Sequence, residues 1–429
     1  MNNLKYDIRD IPKKWYEWII FTLQQVLAVF VATTLIANIC GTPISSCLLG
    51  ACFGTLIYQV ITKFRSPMFI SSCGATVSAV CGALALNAAG NNYLMVFCGG
   101  LIIMSIYALF ALIIKLTGTS FMSKIFPPAI VGSVTIVIGL NLAKFILTYV
   151  SVGGEVKSYT VLIAIFTMLI TAIVSKYGKG FIKNIPFLFG IVGGYLLSLV
   201  LTLTTDLDIV NFEAFSNMQW YPDLTFLQWK SSDWSFANLG RTALYFIPVG
   251  ICALLEHYSD HKVLSNIIGT DLTKTPGLHK TLLGDGVASA VGTAVCGLPN
   301  TSYGESIATT GFSRVASVWI ITAAAVTLGI MSFIAPITAF VQSIPACVFG
   351  GCAMILYGYI AASGLKTIIN NKVDLEDNKN LIVVSVILTV GVSGIFLFDS
   401  AFAGVSLAMV LGVILNLVLQ KNKSEDKLN

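Results

Sequence analysis

Apolar runs close to twenty residues long recur along almost the whole chain, and nothing else in it restricts the fold so strongly. They include 18–39, 93–116, 129–150, 159–174, 185–203 and 381–398. Runs of this kind are long enough to cross a hydrocarbon core of about 30 Å. Backbone in lipid must satisfy its own hydrogen bonds, which favours helices for runs of this length. With 56% hydrophobic and only 10% charged residues, the chain lies far from soluble domains, in which about a quarter of residues are charged. The pattern predicts an all-α polytopic membrane protein with a dozen or more spans. Residues 1–14 are polar and basic, and no small-residue cleavage site follows the first run, which is expected to act as its own insertion signal.

The net charge of +5 is explained by its placement. With the first residues in the cytoplasm and fourteen crossings, the basic clusters all fall on one side. They are 5–14, Lys63/Arg65, Lys115/Lys124, Lys176/Lys179/Lys183, Lys262/Lys274/Lys280, Lys366/Lys372/Lys379 and Lys421/Lys423/Lys427. That is the positive-inside pattern; it needs no nucleic acid and places both termini in the cytoplasm. The 10 cysteines include no C-x-x-C pair and sit in or beside apolar segments. They read as small packing residues, not as a disulfide or metal framework.

A polar stretch at 206–236 divides the chain, and its Trp220, Trp229 and Trp234 suit an interfacial linker on the outer surface. About seven apolar segments precede it (1–205) and about seven follow (237–429), so the second half enters the membrane inverted. Weak internal similarity agrees. PPAIVGSVTIVIGLNLA (127–143) resembles IPACVFGGCAMILYGYIA (344–361), and the Ser/Thr/Gly-rich PMFISSCGATVS from Pro67 resembles PNTSYGESIATT from Pro299. Gly/Pro-interrupted segments at matching places in two inverted halves point to a transporter's binding site. Close helix packing on small residues would explain the glycines, but it does not explain an acid among them.

That acid is Glu305, in LPNTSYGESIATTGFSR (298–314). An ionisable group at membrane depth is costly and is kept mainly where it faces a cavity. Other candidates lie in EHYSDH (256–261) and LLGDGVASAVG (282–292). Glu256 and Asp260 are one helical turn apart on one face, and His257 and His261 form a second such pair. Glu256 and Asp260 are candidates to gain and lose a proton. His257 is either a packed or a functional histidine, and His261 and Lys262 are expected in a cytoplasmic loop. Asp285 is expected to orient a group nearer the solute, and Asp399 to start a helix. Arg314 is expected to fix the broken segment through its guanidinium. No nucleophile–base set and no nucleotide-binding loop occurs, so the reading is a transporter driven by an ion gradient, not an enzyme.

These residues resemble the nucleobase–ascorbate transporters, most closely the family's bacterial uracil-transporting branch. The resemblance runs along essentially the whole chain. It is carried by EHYSDH, DLTKTPGLHKTLLGDG (271–286), LPNTSYGES (298–306), Arg314 and IPACVFGG (344–351). It implies fourteen transmembrane segments in two inverted repeats of seven, with short strands in segments 3 and 10. It further implies a core domain (segments 1–4 and 8–11) moving against a gate domain (5–7 and 12–14) in a homodimer of the bacterial cytoplasmic membrane. By position, Glu256 and Glu305 would bind the base and the Gly304 N–H would meet a ring carbonyl, with Cys73 and Gly74 beside it. Asp260, His257, Asp285 and Arg314 would serve proton coupling and site support. No cofactor is implied beyond the proton gradient, with sodium a lesser alternative.

The chain departs from the family pattern at several of these positions. The usual Asn, Gly and Thr of the tenth segment are Ser306, Ala308 and Ser313. A Gln-His pair of the first segment is Gln24-Gln25. An aromatic beside the base is replaced by Gly74, and a histidine by Asp260. Gly74 and Asp260 also suit a xanthine or other purine carrier, the runner-up substrate. An anion exchanger of similar fold is a more remote reading, less suited to Glu305.

Overall fold

The computed structural model describes residues 4–419 except 88, 119–124, 180–181, 183–184, 206, 217, 219 and 398–401. Asp399 and the 421–427 lysines therefore lie outside the described residues. Among those described, eight helices are long and apolar enough to cross a membrane, or nine if one pair bent by 84° is a single span.

The chain forms two compact units, Met1–Leu116 with Ala143–Leu356, and Thr117–Leu142 with Tyr357–Asn429. In the first unit, α1 (Trp15–Cys40) and α2 (Ile44–Ile61) lead into the first broken segment. It consists of β1 (Ile70–Ser72), a 3₁₀ turn (Gly74–Thr76) and α3 (Val77–Leu84), followed by α4 (Tyr93–Thr117). After the linker, α5 (Phe236–Ile268) and α6 (Leu278–Cys296) lead into the second, β2 (Asn300–Ser302) and α7 (Gly304–Ser313), and then α8 (Val318–Met331). The two segments paired in sequence thus fold alike: strand, one residue, glycine, short helix. Dividing a span in this way is also why neither segment meets a length criterion for a crossing helix.

α2 packs along α6 and α8, and α1 along α8. Close approach is set by small residues, as lipid supplies no hydrophobic drive between helices. A Cβ on Gly50 would stand 2.7 Å from Cys296 Sγ, and one on Gly286 2.8 Å from Tyr107 Cβ. The linker is tied to this unit by Ser46 donating to the Asp223 carbonyl (2.5 Å) and Thr225 to the Ala294 carbonyl (2.9 Å). Trp229 lies against Phe97 with ring centroids 4.6 Å apart, while Trp220 is 61% exposed, as an interfacial residue should be.

In the second unit, α9 (Pro128–Leu142), the later part of α10 (Ala346–Asn370), α11 (Asn378–Ser393) and α12 (Val405–Val418) form a bundle. A Cβ on Gly139 would meet the Tyr357 carbonyl at 2.6 Å, and Asn141 donates to the Gly391 carbonyl at 2.7 Å.

Candidate functional site

β1 and β2 pair antiparallel, with Ile70 opposite Ser302, Ser71 opposite Thr301 and Ser72 opposite Asn300. The pairing is centred on Ser71 and Thr301. Aligning the two segments on their strands, 70–72 with 300–302, also sets Ser71 against Thr301 and Gly74 against Gly304. A local two-fold axis therefore runs through the middle of the strand pair. The ladder continues with Cys73 N–H donating to the Pro299 carbonyl (2.8 Å) and Tyr303 N–H to the Phe69 carbonyl (3.1 Å).

A two-strand ladder has two open edges, and no water is on hand in a membrane interior to satisfy them. Hydroxyl and amide side chains take its place. Thr55 Oγ1 accepts from Ile70 N–H (3.0 Å) and donates to Ile70 C=O (2.8 Å). Gln59 Nε2 donates to the Ser66 and Met68 carbonyls at 3.1 and 3.3 Å. On the other strand, the Ser289 hydroxyl donates to the Asn300 carbonyl, and Asn300 Nδ2 to the Gly50 carbonyl at 2.9 Å. All of these residues are buried polar groups of α2, α6 or the strands. Their density in otherwise apolar helices is the sequence trace of this ladder.

Each strand hands over to a helix that begins at an open glycine. A Cβ on Gly304 would meet nothing within 4 Å, and one on Gly74 only Ile36 Cδ1, at 3.8 Å. The first N–H groups of a helix lack intrahelical partners, so two sets of free donors, with the positive ends of two helix dipoles, start beside the strand pair. Cys73 is buried, and its carbonyl accepts from Thr76 Oγ1 (2.9 Å), which closes the first turn.

α5 packs on α3, the 3₁₀ turn, β2 and α7, and so brings Glu256 and Asp260 to both broken segments. Glu256 is half-buried. Its Oε2 is buried and meets no donor among the described residues. Glu305 lies in the first turn of α7, where a carboxylate is favoured by the dipole. Asp260 accepts from Ser302 Oγ at 2.7 Å. Asp285, fully buried, accepts from Thr301 Oγ1 (3.2 Å), and its Oδ2 lies 2.6 Å from His257 Nδ1. This joins α5, α6 and β2 around a buried carboxylate.

Two sequence expectations need correction. His261 is not in a loop: α5 continues to Ile268, and His261 is 0% exposed, its Nε2 2.8 Å from Tyr58 Oη. The residues at 257, 261, 264 and 268 recur at helical spacing and all are buried, a pattern the sequence already carried. Arg314 fixes the end of α7, but through its backbone. It takes a left-handed conformation (φ 56°), and its carbonyl accepts from Lys5 N–H (2.8 Å) and Tyr6 N–H (3.5 Å).

The partner in that contact went unforeseen. Residues 5–10 lie along 314–318, with Ala316 N–H donating to the Tyr6 carbonyl and Val318 N–H to the Ile8 carbonyl, both at 2.9 Å. The Tyr6 hydroxyl donates to Glu17, and this bond holds it above its ordinary range. Gln25 was noted only as a departure from the family pattern. Its Oε1 accepts from Ser306 Oγ (2.8 Å) and its Nε2 donates to Thr310 Oγ1 (3.3 Å), so it ties α1 to the helix that carries Glu305.

Two inverted broken segments, joined at strands and flanked by half-buried carboxylates, are the build of a secondary transporter. Solved structures share the fold. The transmembrane domain of the cyanobacterial bicarbonate transporter BicA matches with a TM-score of 0.62 at 16% identity, covering 96% of this chain and 98% of that one. SLC26A9 matches with 0.67 at 13% identity, covering 95% and 66%. The family model described as Permease family, Xan_ur_permease, matches residues 16–400. The uracil permease of Bacillus subtilis (strain 168) is 37% identical over 428 residues, 97% of this chain and 96% of that protein. That of Escherichia coli (strain K12) is 32% identical over 405 residues, 93% and 90%. The chain belongs to the nucleobase–ascorbate transporter family, whose members are permeases.

Proposed function

We propose that this protein imports a nucleobase, uracil first, across a bacterial cytoplasmic membrane by proton symport. The observation that carries the reading is that α5, which bears Glu256, packs on α7, which opens with Glu305, beside two open helix starts, in a chain whose relatives over nearly full length are named uracil permeases. A pyrimidine edge alternates N–H donors and carbonyl acceptors. Carboxylates accept from the former, and the free N–H groups at Gly304 and Gly74 serve the latter. Two buried acceptors reject a ligand without matching donors, because they would be left unpaired. Glu256 Oε2, buried without a donor, suits such a ligand.

In this reading the fourteen segments form a core that moves against a gate, the protein works as a homodimer among lipids, and both termini are cytoplasmic. Proton, not sodium, is the coupling ion. Asp260, His257 and Asp285 supply the titratable groups behind the base, and Arg314 anchors the broken helix.

A purine is the second reading, favoured by the space beside Gly74. A thermal-shift panel of uracil, thymine, xanthine, guanine, hypoxanthine and urate on the purified protein separates them. Binding to the folded state alone adds about 2.7 kcal/mol at a hundredfold excess over Kd. A shift with uracil that Glu305→Gln abolishes is the expected outcome. A shift with purines alone would replace uracil, and undiminished binding by Glu305→Gln would remove Glu305 from the site.

A further inference from the structure

A line of buried polar groups leads away from the site. It begins at Asp285 and His257, both 0% exposed, whose Oδ2 and Nδ1 are 2.6 Å apart. The His257 ring lies against that of His261, with centroids 4.1 Å apart and planes at 33°. His261 Nδ1 is 2.9 Å from the His257 carbonyl, and a carbonyl only accepts, so this nitrogen carries a hydrogen. His261 Nε2 is therefore left to exchange a proton with Tyr58 Oη at 2.8 Å, and Tyr58 Oη with Ser66 Oγ at 2.8 Å. Ser66 lies in the turn between α2 and β1, one residue from exposed Arg65. Lys63 and Arg65 mark that turn as cytoplasmic under the positive-inside pattern.

The surroundings are otherwise poor in charge. Asp285 of α6, Tyr58 of α2 and Tyr107 of α4 face the two imidazoles, the last with its ring 6.1 Å from that of His257. Glu256 and Asp260 share their helix, which also packs on the helix that opens with Glu305. A mere packing pair would not need a hydroxyl chain running from it to the surface turn.

We propose that His257, His261 and Tyr58 form the exit line by which the coupling proton passes from Asp285 to the turn after α2. The inference rests on the proton-symport reading above. The proton arrives as an imidazolium at His257 opposite the Asp285 carboxylate. A swing of one imidazole passes it from His257 Nε2 to His261 Nε2. Tyr58 takes it and gives its own hydroxyl hydrogen to Ser66. Ser66 is itself 0% exposed, so its release of one to water beside exposed Arg65 needs an opening of this turn, after which each hydroxyl is as it began. Neither the close Asp285–His257 contact nor the stacked rings has hydrogen-bond geometry among the described residues, so the line is interrupted on both sides of His257. That interruption matters, since an unbroken wire would leak the gradient without moving substrate.

The test is uptake of labelled uracil by proteoliposomes. Net uptake driven by an imposed pH gradient needs proton release; uracil counterflow at equal pH does not. Tyr58→Phe keeps the ring against Gly284, and His261→Gln keeps a polar group of similar length. Each is expected to slow gradient-driven uptake at least about tenfold while counterflow stays within about twofold, with the pH profile of net uptake flattened. Equal losses in both assays would make the line structural and overturn the proposal, as would unchanged net uptake. If the wild type ignores the pH gradient, the symport reading itself falls and takes the exit line with it.

Discussion

Replacing Thr55 by valine isolates the contribution of a single hydroxyl to the strand pair. Valine keeps the shape and removes the group that both accepts from Ile70 N–H and donates to Ile70 C=O. Thr55 and Ile70 are both 0% exposed, so water cannot replace either bond without opening the unit. Leaving a buried backbone group unpaired costs about 1–3 kcal/mol, which would suggest as much as 6 kcal/mol for two (roughly, by simple addition). Hydrogen bonds inside membrane proteins average nearer 0.6 and reach about 1.7 kcal/mol, because the membrane-embedded unfolded state also finds partners. The smaller scale governs here, and the expected loss is about 1–3 kcal/mol, or roughly 5- to 150-fold in the unfolding equilibrium. Reversible unfolding in mixed micelles, followed by tryptophan fluorescence, measures it. Thr55→Ser should recover most of the loss. A Thr55→Val protein within about 0.3 kcal/mol of wild type would refute the claim that this hydroxyl closes the strand edge. So would a serine variant as weak as the valine, since the methyl would then be what matters.

Three further outcomes follow from the geometry. Gly74→Phe should leave uracil binding within a few-fold and remove any purine binding, because its side chain enters space now bounded only by Ile36; competition binding reads this, and retained purine binding would put the base elsewhere. Gln25→Ala and Ser306→Ala should each weaken uracil binding, with a coupling energy of about 0.5–3 kcal/mol in a double-mutant cycle; simple additivity would separate the two roles. Removing residues 1–10 strips the strap from 314–318 and should lower thermal stability and uptake together, while substitution of the half-exposed Lys5 in its ion pair with Glu17 should cost less than about 1 kcal/mol.

Much of this was legible because membranes make sequence explicit. A glycine and an acid inside LPNTSYGESIATT cannot be ordinary lipid-facing helix, and Pro67 with Pro299 mark both broken segments in the sequence, while their strands are implied only by the family resemblance. Glu256 and Glu305 stood out for the same reason: charge at depth is rare. What escaped notice was local context at a distance. His261 reads from the sequence as a loop residue, although α5 is 33 residues long and its buried face keeps its period past Lys262. The Gln25–Ser306 contact joins residues far apart in the chain, and no periodicity reveals which buried amide meets which hydroxyl. Lys5 and Tyr6 contact Arg314 through backbone, and backbone pairing between an irregular segment and a helix end has no side-chain signature.

The local two-fold through Ser71 and Thr301 is obeyed by the scaffold and broken by the chemistry. The same alignment that sets Gly74 against Gly304 sets Ala75 against Glu305. Had both repeats kept an acid, a flat ring could seat itself either way round with similar energy, and the occupied state would be a mixture of poses. In the proposed site, an acid matched to an alanine across the repeats would lift that degeneracy. The duplicated frame would then supply the cradle, and Glu305, without a counterpart in the first repeat, would give the cargo a heading within it.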